Sequence, residues 1–357
     1  MFYSLITKDR FYFRGNSENK ASENNHSTGV FPPNLQTLYG AVRGNWIDAY
    51  GDYDSFNKGD YEKTIGTINK PGEFSIEGIY LAKNKELYVP IPLDVQVIEE
   101  TDGSFYAQTL EVHKGFERES DGLKYRLMAR ENKKSESALG FWIRVKDVEV
   151  LFKHERVKCV KLNHFVVPAP KLGIALNKES RTVQESMLYQ HTGYYLQDDA
   201  ELVIEMKLLP DNLDTLKFGN SGTVWFMKES PSYKSQKQKL QNLPANEEDA
   251  FIRITLLTAG ILSGDLFEEQ YYRWNKTSEM IQAVIPRATQ LGGWNMEKNA
   301  PKPKYPQLAA GTTFFVARES SKPLREQVSE MLKPHTDLLT EAGYGRVYIS
   351  TSDEVTQ

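Results

Sequence analysis

Apolar residues recur along this chain with two different periods, and the places where the period changes mark the expected elements. From Phe2 to Phe13 aromatic and β-favouring residues dominate, which predicts a strand or a pair of strands. The polar run Asn16–Ser27 is too hydrophilic for a core and predicts a loop. Pro32 and Pro33 favour a helix start, and Leu35, Leu38, Tyr39 and Val42 then fall at i, i+3, i+4 and i+7, with Trp46 prolonging the stripe. Gly40, Ala41 and Gly44 keep that helix slim enough to pack closely on a sheet.

From Phe74 the period shortens to that of strands. Ile79 and Leu81 lie before Lys83-Asn84-Lys85-Glu86 and Leu87 and Val89 after it, which predicts a hairpin turn. Residues 103–132 are charged and broken into short pieces. Leu139–Phe152 and Val157–Val167 are β-like, as are Leu202–Leu208 and Gly222–Met227. Ile252, Ile254 and Leu256 alternate with Arg253 and Thr255 as in a strand, while Asn246-Glu247-Glu248 could cap a helix there, so both remain open. Ser321–Leu339 has near-helical spacing, and Tyr344-Gly345 turns into a last strand at Val347. Many strands with few helices give an α+β class. The opening strand, loop and helix suit a ferredoxin-like or RRM-like unit.

At 357 residues the chain is long enough for about two domains, each with its own core. The formal charge of −4 carries no global signature of nucleic-acid binding, so local charge has to supply one. Between Lys153 and Arg181 seven Lys/Arg face only Glu155 and Glu179. One cysteine, Cys159, excludes an intrachain disulfide and a cysteine-rich zinc site. MFYSLITKDR lacks the basic start and apolar run of a signal peptide, and no stretch approaches the ~18 apolar residues of a membrane span, so a cytoplasmic protein is expected.

Catalytic signatures are sparse. The chain has no GxxxxGK[ST], GxGxxG, His-x-His or HExxH, and Gly292-Gly293 is followed by Trp294-Asn295 rather than by two aspartates. Asp198-Asp199 is the one adjacent acidic pair of interest, and a solvated turn is its ordinary explanation. His26 is the only histidine nominated for acid–base work, against a plain surface role. No catalytic residue, metal or cofactor is assigned. The segment Pro286–Val316 is richer: Gly292-Gly293 frees the backbone, Trp294 offers a stacking face, and Arg287, Lys298, Lys302 and Lys304 stand against Glu297 alone. That mixture suits a nucleic-acid backbone with an unstacked base, the bland alternative being a surface loop with a half-buried tryptophan and solvated lysines. Lys228, Lys234, Lys237 and Lys239 around Ser230-Pro231-Ser232 make a second, flexible basic segment.

The Pro286–Val316 segment, with Ala310-Gly311 leading into Thr312-Thr313-Phe314-Phe315-Val316, resembles the late region of the third subunit of type III-B (Cmr) CRISPR effector complexes, a member of the RAMP superfamily. Four further places agree in the same order: Arg14-Gly15 with Phe31-Pro32-Pro33, Thr37-Leu38, Gly40-Ala41 and Arg43; Pro90-Ile91-Pro92-Leu93-Asp94; Lys171 to Leu176 with Arg181-Thr182-Val183 and Met187-Leu188-Tyr189; and Leu256-Leu257-Thr258-Ala259. The resemblance implies two ferredoxin-like (RRM-like) domains with long insertions, here expected at 1–165 and 166–357. It also implies a non-catalytic subunit that holds the 5′ tag of the CRISPR guide RNA, docks the large polymerase-like subunit and meets a neighbouring backbone RAMP subunit. The RNA-binding residues so expected are Arg14, Arg43, Lys171, Arg181, Arg287, Gly292, Gly293, Trp294, Lys302, Lys304 and Arg346. The alternatives are a RAMP-type, metal-independent endoribonuclease that processes guide precursors, and a purely architectural subunit.

Overall fold

The computed structural model describes the chain except for residues 16–24, 69, 115–124, 177–182, 210, 220–221, 244–248, 250, 262–272, 275–277, 296–298, 320, 325, 328–338 and 353–357. Its α+β architecture is built mostly from antiparallel strands with few helices. Two compact units interleave along the chain: residues 1–85 with 163–230, and residues 86–162 with 231–357. Consecutive domains at 1–165 and 166–357 are therefore not what the fold presents, although one crossing, at 162/163, lies near the expected boundary. The reason is strand pairing. Phe2–Ile6 takes as neighbours Ala200–Lys207 and Val224–Glu229, far along the sequence.

In the first unit the sheet runs Thr215–Lys217, Val224–Glu229, Phe2–Ile6, Ala200–Lys207, Ser75–Lys83, every pairing antiparallel. Its last four members are, in chain order, fourth, first, third and second. The helix Leu35–Tyr50 lies between the first and second of them in sequence and buries Leu35, Leu38, Val42, Trp46 and Ile47, the stripe expected from its spacing. Asn84 and Lys85, both at positive φ, make the two-residue turn expected after Lys83. The strand expected over Phe2–Phe13 is shorter, ending at Ile6. Beyond it Phe11 forms an isolated bridge to Tyr194 and packs among Phe13, Phe31, Tyr194 and Trp225 with ring centroids 4.9–6.1 Å away. The polar run Asn16–Ser27 ends in a strand, Asn25–Thr28.

The second unit contains one sheet of Glu86–Pro90, Phe141–Arg144, Val157–Lys161, Phe105–Thr109 and Val95–Glu99. Another runs Arg273–Trp274, Ser278–Val284, Thr313–Ala317, Phe251–Leu256, Val347–Ser352. Here too the last four are second, third, first and fourth in chain order, all antiparallel. Phe251–Leu256 is thus a central strand, buried throughout, which closes the open choice in favour of a strand. Leu139–Phe152 is strand only at Phe141–Arg144. It continues as the helix Val145–Phe152, because Val145, Val148, Leu151 and Phe152 bury one helical face. The lysines after Pro231 are likewise not on a flexible segment but on the helix Ser232–Gln241, held inward by Tyr233 and Leu240. The helix expected at Ser321–Leu339 lies largely outside the described residues. Cys159 is buried in its strand, and burial pushes its thiol up to about 12.

At the centre of the second unit Arg253 Nε lies 3.0 Å from Asp94 Oδ2, with both side chains 1% exposed. The guanidinium also lies 4.6 Å from the Phe152 ring and 5.3 Å from the Phe315 ring. Thr313 Oγ1 donates to Asp94 Oδ1 at 3.2 Å, and the Leu110 amide donates to the Asp94 carbonyl at 2.9 Å. Removing one charge strands the other in low dielectric, so Asp94→Leu is expected to lower stability by about 3–5 kcal/mol. Asp94→Leu with Arg253→Met should recover most of it in urea denaturation. A double variant as unstable as the sum of the two singles would show that the pair is not the cause.

Candidate nucleic-acid interface

Each unit carries one region that the sequence marks for RNA. In the first unit, Val166–Leu176 and Val183–Leu196 form a long antiparallel hairpin, paired from Val166↔Leu196 to Ile174↔Leu188 and, past a register shift, at Leu176↔Val183. Asn25–Thr28 adds to it in parallel alongside Tyr189–Thr192. At ~3.3 Å per residue the eleven-residue arm spans about 35 Å.

The base of this hairpin is clamped by residues that the sequence did not single out. Arg10 reaches both arms, Nε donating to the Ala169 carbonyl and Nη2 to the His191 carbonyl, each at 2.9 Å. Phe11 and Tyr194 exchange both backbone hydrogen bonds, and the Tyr194 hydroxyl donates to the Gly29 carbonyl. Gly193 makes this possible. A side-chain carbon there would sit 2.4 Å from the Phe11 oxygen and 2.8 Å from the Arg10 guanidinium.

Lys171 is exposed and stands across the hairpin from His191, whose ring lies 5.2 Å from Tyr12. Tyr12 and Ser27 share a hydroxyl–hydroxyl hydrogen bond of 2.5 Å. Arg14 is exposed one residue beyond Phe13, whose carbonyl accepts from Val30 in the same ladder, while Gly29 donates to Thr192. The fold therefore brings Arg14 and Lys171 onto one set of paired segments, with Arg10 and His191 added. Arg181 lies outside the described residues.

In the second unit Thr289–Leu291 pairs with Tyr305–Leu308, and Trp294–Asn295 with Ala300–Pro301, making a two-stage ribbon. Between the stages Gly292-Gly293 faces Lys302–Lys304, and the Lys302 amide donates to the Gly293 carbonyl at 2.9 Å. Arg287, Lys302 and Lys304 are exposed. The glycines and lysines that sequence reasoning grouped are thus opposite one another. Gly292 is not in the left-handed region, and a side-chain carbon there would meet only the Lys304 stem at 3.6 Å. Packing within the chain therefore does not require glycine at 292. The side chain of Trp294 lies outside the described set.

Arg43 and Arg346 are engaged within the chain. Arg43 Nη2 donates to the Thr67 carbonyl at 2.7 Å, and its guanidinium lies 5.3 Å from the Tyr39 ring and 5.4 Å from that of Phe56. Burial lowers its pKa. Arg346 Nη2 donates to the Thr340 carbonyl at 3.2 Å and its amide to Thr258 Oγ1 at 3.0 Å, fastening a turn in which Gly343 and Gly345 take positive φ. Asp198-Asp199 forms the exposed turn before Ala200, Asp199 at φ 57°. His26 meets Thr192 Oγ1 at 3.4 Å. Among the described residues no group of three or more His, Cys, Asp or Glu could hold a metal, and no helix is long and apolar enough to cross a membrane.

A family model for the CRISPR-associated protein Cas_Cmr3 matches residues 3–352. No curated protein matches the chain at a significant level. A chain of the cryo-EM structure of type III-B Cmr-beta bound to cognate target RNA and AMPPnP, state 1, is similar with a TM-score of 0.51 at 11% identity, over 98% of this chain and 99% of that one. A chain of Cmr-beta bound to cognate target RNA gives 0.50 at 12%, over 99% of each. One from the Csm3–Csm4 subcomplex of the type III-A CRISPR-Cas interference complex gives 0.39 at 12%, over 89% of this chain and 93% of that one. The fold is that of RAMP-type CRISPR effector subunits. The chain belongs to the Cas_Cmr3 family, the third-subunit series of type III-B Cmr complexes.

Burial first, then the charges of Arg10 and Lys171, hold the His191 imidazole below the ordinary histidine value. Taking away a neighbouring positive charge favours the protonated ring, so Lys171→Met is expected to raise the His191 titration midpoint, followed by its imidazole proton resonances. An unmoved midpoint would place Lys171 away from the ring.

Proposed function

We propose that this chain is a non-catalytic subunit of a type III-B effector complex that holds the 5′ repeat-derived tag of the guide RNA and docks both the large polymerase-like subunit and a neighbouring backbone RAMP subunit. Family membership supports the assembly. The observation that carries the RNA contact is the ribbon that sets Gly292-Gly293 against exposed Lys302 and Lys304, with a glycine that the chain's own packing does not demand. The lysines fix phosphates, the open backbone lets the strand approach, and Trp294 supplies a face for a splayed base.

Lys171, Arg14 and Arg181 extend the contact in the first unit, and Arg287 in the second. Arg43 and Arg346, spent on carbonyls of their own chain, are left out. The fourth-first-third-second strand order found in each unit supports two ferredoxin-like domains with long insertions. The complex is proposed to be cytoplasmic.

Two variants of the full chain test this reading against short guide-tag RNA. Trp294→Ala should weaken binding by roughly 1–3 kcal/mol, the worth of one stacked base. Lys171→Ala with Arg181→Ala should flatten the dependence of log affinity on log salt by roughly 0.7 per lost phosphate contact. Unchanged affinity and slope, with loss of the large subunit from pull-downs, would favour the architectural alternative. Specific RNA cleavage that disappears in His26→Ala would favour the endoribonuclease.

A further inference from the structure

One face of the first unit's sheet is buried at Ser4 and Val203 and opens only towards the edge, along Val224–Glu229 and Thr215–Lys217. Along Val224–Glu229, Trp225 and Met227 point inward and are buried, so Phe226 points outward, where a polar residue is the rule. Phe226 is 65% exposed, the highest value among the exposed large apolar side chains described. Directly across the ladder stands Ile6, 40% exposed, and on the other side Thr215. Lys228, two residues on, shares this outward face, as does Lys217, two residues from Thr215 and opposite Val224. Both lysines are exposed, and neither has an ion-pair partner among the described residues. Glu229 belongs to the opposite face, across from Tyr3.

From this arrangement we infer a second single-stranded RNA contact, in which Phe226 stacks one base on the Ile6 shelf while Lys217 and Lys228 hold the flanking phosphates. A ring standing clear of its sheet between exposed cations is the arrangement that binds single strands without reading sequence. A protein partner would leave two lysines beside the apolar centre of its interface, where lysine is depleted. The inference rests on the reading of the chain as an RNA-binding subunit, but uses none of the residues assigned to that reading.

The test is the affinity of the full chain for a short fluorescein-labelled oligouridine, with thermal melting to confirm that each variant folds. Phe226→Ala should weaken binding about 5- to 150-fold, the range for one lost base stack. Phe226→Trp should retain it and Phe226→Leu should not, since a leucine keeps the apolar surface without the ring. Lys217→Ala with Lys228→Ala should weaken binding and reduce its salt dependence. If Phe226→Ala binds like wild type while Lys302→Ala with Lys304→Ala does not, this contact is refuted and the proposed function stands. If Phe226→Ala binds RNA normally but no longer captures a neighbouring subunit, the surface is a protein interface and the inference is overturned. Failure of the wild-type chain to bind RNA would overturn both.

Discussion

Two opposite charges withdrawn from water govern the second unit. Asp94 and Arg253 are each 1% exposed, and a buried ion is tolerated only beside its counter-ion. The segment Pro90–Asp94 must therefore reach the central strand Phe251–Leu256 before either residue can be buried, and this joins stretches far apart in sequence. Gly311 completes the junction. Its amide donates to the Leu256 carbonyl, its own carbonyl accepts from Leu93, and at φ 88° a side-chain carbon would sit 2.3 Å from the Ile91 oxygen. Burial, then the charge of Asp94, also raises the pKa of the Tyr348 phenol on the last strand. The strand after Gly311 is thereby set, and the ribbon Thr289–Leu308 precedes it directly in the chain.

The first unit solves a different problem, that of holding a long hairpin by its base. An aromatic nest around Phe11 and one guanidinium, Arg10, do this, and Gly193 is the residue that lets backbone and guanidinium approach. What the clamp presents is a set of polar and basic side chains along the strands, among them exposed Lys171 and half-buried His191. Neither unit owes its basic character to overall charge, which is −4. Local placement decides where a polyanion would be welcome.

Much of this was legible in the sequence where pattern and chemistry agreed. The stripe Leu35–Trp46 is the helix it predicts, Lys83–Glu86 holds the predicted turn, and Gly292-Gly293 does face Lys302 and Lys304. What was missed depends on partners remote in sequence. Arg10 and His191 are unremarkable in their own surroundings and acquire meaning only when the hairpin returns beside Phe11. Arg43 is basic and helical, features that suit a phosphate contact, yet its Thr67 partner on a later loop was invisible. Val145–Phe152 is β-branched enough to resemble a strand, and only its one-sided burial makes it a helix. The interleaving of units was hidden for the same reason, because strand order is set by long-range pairing.

The central claim is that the guide's 5′ tag runs over this chain. Its most direct test places a photoreactive uridine at each tag position in turn within the assembled effector complex, irradiates it, and identifies the cross-linked peptides by mass spectrometry. The account predicts cross-links to peptides spanning Arg287–Lys304 and to the Val166–Leu196 hairpin. Tag positions that cross-link efficiently to other subunits, and at none of them to these two regions, would contradict it.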